Sequence, residues 1–151
     1  MSTKKKIYLG IAAAVLVGVL GVSWYGYKEY TRRNKDLSET KADLQISAAD
    51  LIKTFEANEQ QANAKYLDKI IAVTGNVKEV IKDEKGYYTV VLGEEGSMSS
   101  VRCSMDSIHQ TEAGKLVAGK QVIVKGACTG FNADELLGSD VILNRSVIDK
   151  N

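Results

Sequence analysis

The sequence predicts a mainly β protein with helices: an N-terminal transmembrane helix, then a five-stranded barrel with one helix ahead of its first strand. Three observations lead to this. Residues 7–27 carry no charge. Ile71, Val73, Gly75 and Val77 recur at every second position, the period of a strand with one apolar face. Further β-rich segments then follow, separated by turn residues, as two strands, a polar connector and two strands more.

A length of 151 residues leaves room for one domain and an appendage. The expected division is a basic tail at 1–6, a membrane anchor at 7–27, a polar stalk at 28–46 and the barrel domain at 47–148. The net charge of +1 hides an asymmetry. Residues 1–35 hold seven Lys/Arg and one acid, a net of +6, while residues 36–151 hold 13 Lys/Arg against 18 Asp/Glu, a net of −5. Phosphate neutralisation supplies most non-specific affinity for nucleic acid, so an acidic domain argues against a polyanionic partner.

As a helix, residues 7–27 span about 31 Å, the thickness of a bilayer core at about 30 Å. Trp24, Tyr25, Tyr27 and Tyr30 follow at its far end, where amphipathic rings favour the membrane–water interface. Lys4, Lys5 and Lys6, the apolar run, Gly21 and Ser23 also fit a cleavable signal, after which the protein would be secreted. The run exceeds a usual signal core and bulky Trp24 follows it. The expectation is therefore an uncleaved, single-pass anchor in the cell membrane, its C-terminal domain extracytoplasmic. Gly10, Ala14 and Gly18 lie four apart, a row that lets two membrane helices approach as a homodimer, although such residues are common in these helices generally.

Past the stalk, Ser47 and Asp50 start a helix expected over about 48–64, with Leu51, Ile52, Phe55 and Ala62 on its apolar side. Gly75 stands where a long first strand must curve. A turn at 83–86 ends on Gly86, and strands follow at 87–92 and 98–105. Residues 106–118 form the connector, and strands at 121–129 and 140–148 complete the set. Five strands with a short helical connector between the third and fourth is the order of an OB-fold barrel.

Phe55, Asn58, Glu59, Ala62, Lys65, Tyr66 and Lys69, followed by Val73, Thr74, Gly75 and Val77, form one group of motif positions. Val101 with Cys103, and Val124, Lys125, Gly126, Cys128 and Gly130, form two more. As a set, over about residues 47–148, they resemble the tRNA_anti-like family of OB-fold proteins. The resemblance implies a bacterial envelope protein of unknown role. Many members are lipoproteins, but no cysteine lies near the apolar segment here, so anchoring falls to the helix itself.

Cys103 shares strand parity with Val101 and Met105, and Cys128 with Val122 and Val124, so both thiols are expected inside the barrel. Outside the cytoplasm they could form a disulfide; otherwise they act as small buried hydrophobes. Two cysteines and one distant histidine do not make a zinc set. His109 lies in the polar connector with no nucleophile identifiable beside it, and Asp134, Glu135 and Asp140 lack calcium-loop spacing. No enzyme and no cofactor is expected.

OB-folds bind on the face of their second and third strands. Alternation points Tyr87, Thr89, Arg102 and Ser104 outward there, with Lys82, Lys85 and Phe131 at the rim. Aromatic stacking and these cations could hold a single strand of nucleic acid in a cytoplasmic domain. Asp83, Glu84, Asp134 and Glu135 on the same rims oppose it, and the face also reads as an ordinary amphipathic exterior. The leading expectation is an anchored module that binds an envelope protein, a peptide or a saccharide.

Overall fold

A computed structural model describes residues 3–30, 36–134 and 136–150, with side chains over 15–28 and from 36 onward. The chain divides into two compact units, 1–35 and 36–151. The first holds one helix, α1 (Thr3–Tyr30), of 28 residues. Among the described residues no helix is both long and apolar enough to cross a membrane. The described part of α1 exposes Val15, Leu20, Val22, Trp24 and Tyr27 along its length. The side chains of Lys4, Lys5, Lys6, Gly10, Ala14 and Tyr30, together with Arg32, Arg33, Lys35 and Glu135, lie outside the described residues.

The second unit contains β1 (Leu44–Ser47), α2 (Ala48–Ala57), α3 (Glu59–Tyr66), β2 (Ile70–Lys82), β3 (Tyr88–Leu92), β4 (Ser100–Met105), α4 (Gln110–Ala113), β5 (Gln121–Asn132) and β6 (Asp140–Asp149). The sheet runs β1-β2-β3-β4-β6-β5, and β5 returns to pair with β2. Five strands thus close into the OB-fold barrel. Within the barrel β2 serves two of its strands: residues 70–76 pair with β5, and from Val77 onward it pairs with β3. A bulge between Val77 and Glu79 turns the strand from one to the other. Ahead of the bulge Ile71, Val73 and Val77 point inward, and they meet Val90, Leu92, Val101, Val124, Val141 and Leu143 in the core.

Gly75 is required by close approach as well as by curvature. A Cβ there would lie 2.9 Å from the Ala48 Cβ and 3.2 Å from the Leu92 Cβ.

Two departures from the sequence expectation stand out. The single helix over 48–64 is two helices broken at Asn58, which sits at φ −161° and ψ 96°. Its N–H closes α2 on the Thr54 carbonyl at 3.3 Å, and its side chain accepts from Gln61 N at 3.0 Å to open α3. Asparagine competes for backbone partners in this way, whereas a pattern of apolar spacing runs straight through it. Ser47 is the N-cap of α2 as expected, accepting from Asp50 N at 3.1 Å. Ala48, Leu51, Ile52, Phe55, Ala62 and Tyr66 join the barrel core.

The polar stretch 28–46, expected as a stalk, is structured with the barrel from residue 36 onward. β1 pairs in parallel with β2, Leu44 opposite Ile71. Ahead of it, residues 36–43 form a strap over the outside of the barrel. The cross-strand row Ala72, Lys125 and Val147 faces outward by register, yet all three are buried. Lys125 Nζ donates to the Ser38 carbonyl at 3.3 Å and lies 3.7 Å from Asp149. Leu37, 1% exposed, is buried outside the barrel's own core cluster. The alternation of Leu44 and Ile46 spans only four residues, too short a signal beside the polar composition of the stretch.

Candidate ligand face and a neighbouring groove

β3 and β4 supply the expected face. Thr89 stands opposite Ser104, and Arg102 lies opposite Val91 on one side and Ile142 on the other. Their neighbours Val90, Leu92, Val101 and Cys103 are buried, so alternation turns Thr89, Arg102 and Ser104 outward, each half-buried. Tyr87 is exposed at the edge of the face. The turn that holds it is built on Asp83, whose Oδ1 accepts from Lys85 N at 2.9 Å and Tyr87 N at 2.8 Å, with Gly86 at φ +89°.

The face is electrically quieter than its sequence suggests. The Arg102 guanidinium lies 3.6 Å from Asp140 Oδ2, and the Ser100 hydroxyl donates to the other oxygen of the same carboxylate. Lys82, expected at the rim, sits 5.4 Å over the Tyr88 ring. Arg102 and Asp140 are 38 residues apart and meet through the parallel β4–β6 pairing. Strand alternation carries no trace of that contact.

Phe131 departs from the expected site. Expected in a loop at the rim beyond a strand ending at 129, it lies within β5, which runs on to Asn132 with a bulge between Cys128 and Gly130. Phe131 then pairs with inward-facing Val141 and stacks on Phe55, with ring centroids 5.0 Å apart and planes 23° apart. There it lines a groove of about 510 Å³ with Glu56, Asn58, Glu59, Ser99, Asp134 and Ser139. The Ser99 hydroxyl donates to Glu56 at 2.7 Å and accepts from Ser139 N at 3.0 Å, which ties α2 to both neighbouring loops.

The disulfide expectation is corrected. Cys103 and Cys128 are both buried as predicted, but both are free thiols. Each pairs with Leu143 of the intervening strand β6, from opposite sides. Two strand spacings amount to about 10 Å, beyond the Cα separation of about 7 Å that a disulfide spans. Burial pushes the Cys103 thiol far up, and that of Cys128 up to about 11.

His109 is paired. Its Nε2 lies 3.0 and 3.1 Å from the two Asp36 carboxylate oxygens, and Nδ1 lies 3.9 Å from Glu112. The Asp36 carboxyl is held below its ordinary range, chiefly by the Ser38 N–H and then by the Ser38 and His109 side chains. Asp134 is likewise held low by the Leu137 and Leu136 N–H groups. Among the described residues no three of His, Cys, Asp and Glu converge on a point where they could hold a metal.

A family model and one solved structure agree with this architecture. The tRNA_anti-like family model matches residues 1–146. The crystal structure of the putative nucleic acid-binding lipoprotein from Klebsiella pneumoniae subsp. pneumoniae MGH 78578 aligns with TM-score 0.55 at 15% identity, covering 79% of this chain and 100% of that one. A putative aspartyl-tRNA synthetase from Leishmania major Friedlin aligns with TM-score 0.41 at 10% identity, over 85% of this chain and 26% of its own. No curated protein matches. With a closed OB-fold barrel and a family match over nearly its whole length, the chain belongs to the tRNA_anti-like family.

Proposed function

We propose that this protein is a single-pass, membrane-anchored binding module without catalytic activity, whose OB-fold domain faces outside the cytoplasm and takes an envelope protein, peptide or saccharide. The observation that carries the proposal is the pairing of Arg102 with Asp140 on the β3–β4 face. That ion pair leaves little positive charge there for a phosphate backbone, in a unit whose net charge is −5. The uncharged run at 7–27 within the continuous helix α1, and the exposed Trp24, Tyr25 and Tyr27 near its end, support the anchor.

A second reading is a cytoplasmic domain that binds single-stranded nucleic acid. Exposed Tyr87 at the edge of the face that carries Arg102 favours it, as does the name of the Klebsiella lipoprotein that shares the fold. Two measurements separate the readings. Protease added to intact spheroplasts digests the domain if it lies outside and spares it until lysis if it lies inside. Titration of the full chain, in uncharged nanodiscs, with mixed-sequence single-stranded DNA and RNA gives no micromolar binding on the first reading. On the second it gives binding whose logarithm falls linearly with the logarithm of salt concentration.

A further inference from the structure

We propose that the groove between α2–α3 and the loop residues Ala133, Asp134, Gly138 and Ser139 is a docking site for a cationic, amphipathic peptide segment of a partner protein. This deepens the binding-module reading and rests on it, but it uses a surface other than the β3–β4 face.

The floor of the groove is apolar. Phe131 is half-buried and lies against buried Phe55, so the part of its ring that Phe55 does not cover meets the groove. The rim is acidic: Glu56 and Glu59 on the helix side, Asp134 on the loop side. Among the described residues that line it there is no Lys or Arg. Beside it, three large apolar side chains stand in solvent: Met98 at 63% exposure, Leu136 at 83% and Leu137 at 74%.

Their exposure is built into the loops. Asp134 Oδ1 accepts from both Leu136 N and Leu137 N at 2.8 Å, and Gly138 N returns to the Asp134 carbonyl at 3.0 Å. Gly138 has φ +88°, and a side chain there would run into the Met98 backbone, so the loops that bear Met98 and the leucines are packed together. Asp134, which shapes this turn, thereby stays charged at the groove's edge.

Charge and polarity select the occupant. An aromatic floor and exposed leucines reward apolar side chains, and three carboxylates reward interspersed Lys or Arg. The same carboxylates repel nucleic acid and anionic lipid headgroups. A second copy of this barrel, itself net negative, is a poor match in charge.

The test uses the full chain in uncharged nanodiscs and a short fluorescent peptide alternating lysine with leucine and phenylalanine, read by anisotropy. Wild type is expected to bind it and to ignore the peptide with glutamate in place of lysine. Leu136→Ser/Leu137→Ser, at exposed positions that leave the fold intact, should weaken binding by about tenfold or more. Glu59→Gln should weaken it and flatten its salt dependence, while Ile108→Ser, at an exposed apolar position that does not line the groove, should bind as wild type does. Equal binding by the double-serine variant, or equal binding of both peptides, overturns the groove. So does failure of wild type to bind, or wild-type dimerisation that the serine variant abolishes. Single-stranded DNA in a parallel titration keeps the two proposals apart: DNA binding lost in Arg102→Ala overturns the proposed function, whereas absence of peptide binding without DNA binding overturns the groove alone.

Discussion

Truncating Leu37 tests whether the strap is part of the folded unit. The side chain is 1% exposed, although it lies in a stretch of mostly polar composition. Leu37→Ala removes three carbons from a closed environment. At about 0.8 kcal/mol per buried methylene that is about 2.4 kcal/mol, and the cavity left behind brings the expected loss to about 3 kcal/mol. Leu136→Ala is the matched control, the same chemical change at an 83% exposed position, where the expected effect is within about 0.5 kcal/mol. Urea unfolding of the full chain in detergent, followed by circular dichroism at the β-sheet band, measures both. A Leu37→Ala midpoint indistinguishable from that of Leu136→Ala would refute the strap and return residues 36–46 to a free stalk.

Other predictions follow from the same packing. Gly75→Val drives a side chain into Ala48 and Leu92 and should cost about 2 kcal/mol or more, seen as a lowered unfolding midpoint; an unchanged midpoint refutes the close approach. Cys103 and Cys128 should react with a thiol reagent at pH 8 only after urea unfolding, since burial raises both thiols; rapid labelling of the native protein would contradict the core assignment. Asp36 has a lowered folded pKa, so its contribution is present above its unfolded value of about 3.9 and is lost as pH falls through the folded value. Asp36→Asn should therefore be less stable than wild type at pH 7 and converge with it in acid. A gap that persists unchanged at pH 2 would show that the carboxylate's charge plays no part.

Local alternation was a dependable guide where a strand runs without interruption. Val101, Cys103 and Met105 are buried as their spacing implies, and so are Ile71 and Val73. Phe131 was expected in a loop at the rim, but β5 runs on to Asn132, and the bulge after Cys128 turns it onto Phe55 without leaving a composition signal. The helix starting at Ser47 was legible from its cap, but the break at Asn58 was hidden under a continuous apolar stripe. Outward Thr89, Arg102 and Ser104 were legible for the same reason as the core. The neutralisation of Arg102 was not, since Asp140 reaches it only across the β4–β6 pairing.

By itself the sequence determined the properties that short-range chemistry carries. These are an uncharged segment of bilayer length, an acidic domain, and strands whose period of two sorts side chains into a core and an exterior. Tertiary structure alone decided which distant groups share a neighbourhood. His109 meets Asp36 across 73 positions, Cys103 and Cys128 are held apart by Leu143, and Phe131 joins Phe55 beneath the acidic groove. The physical reason is register. Which residue faces which across a barrel depends on bulges and pairing order, and one extra residue in a strand exchanges its inside for its outside.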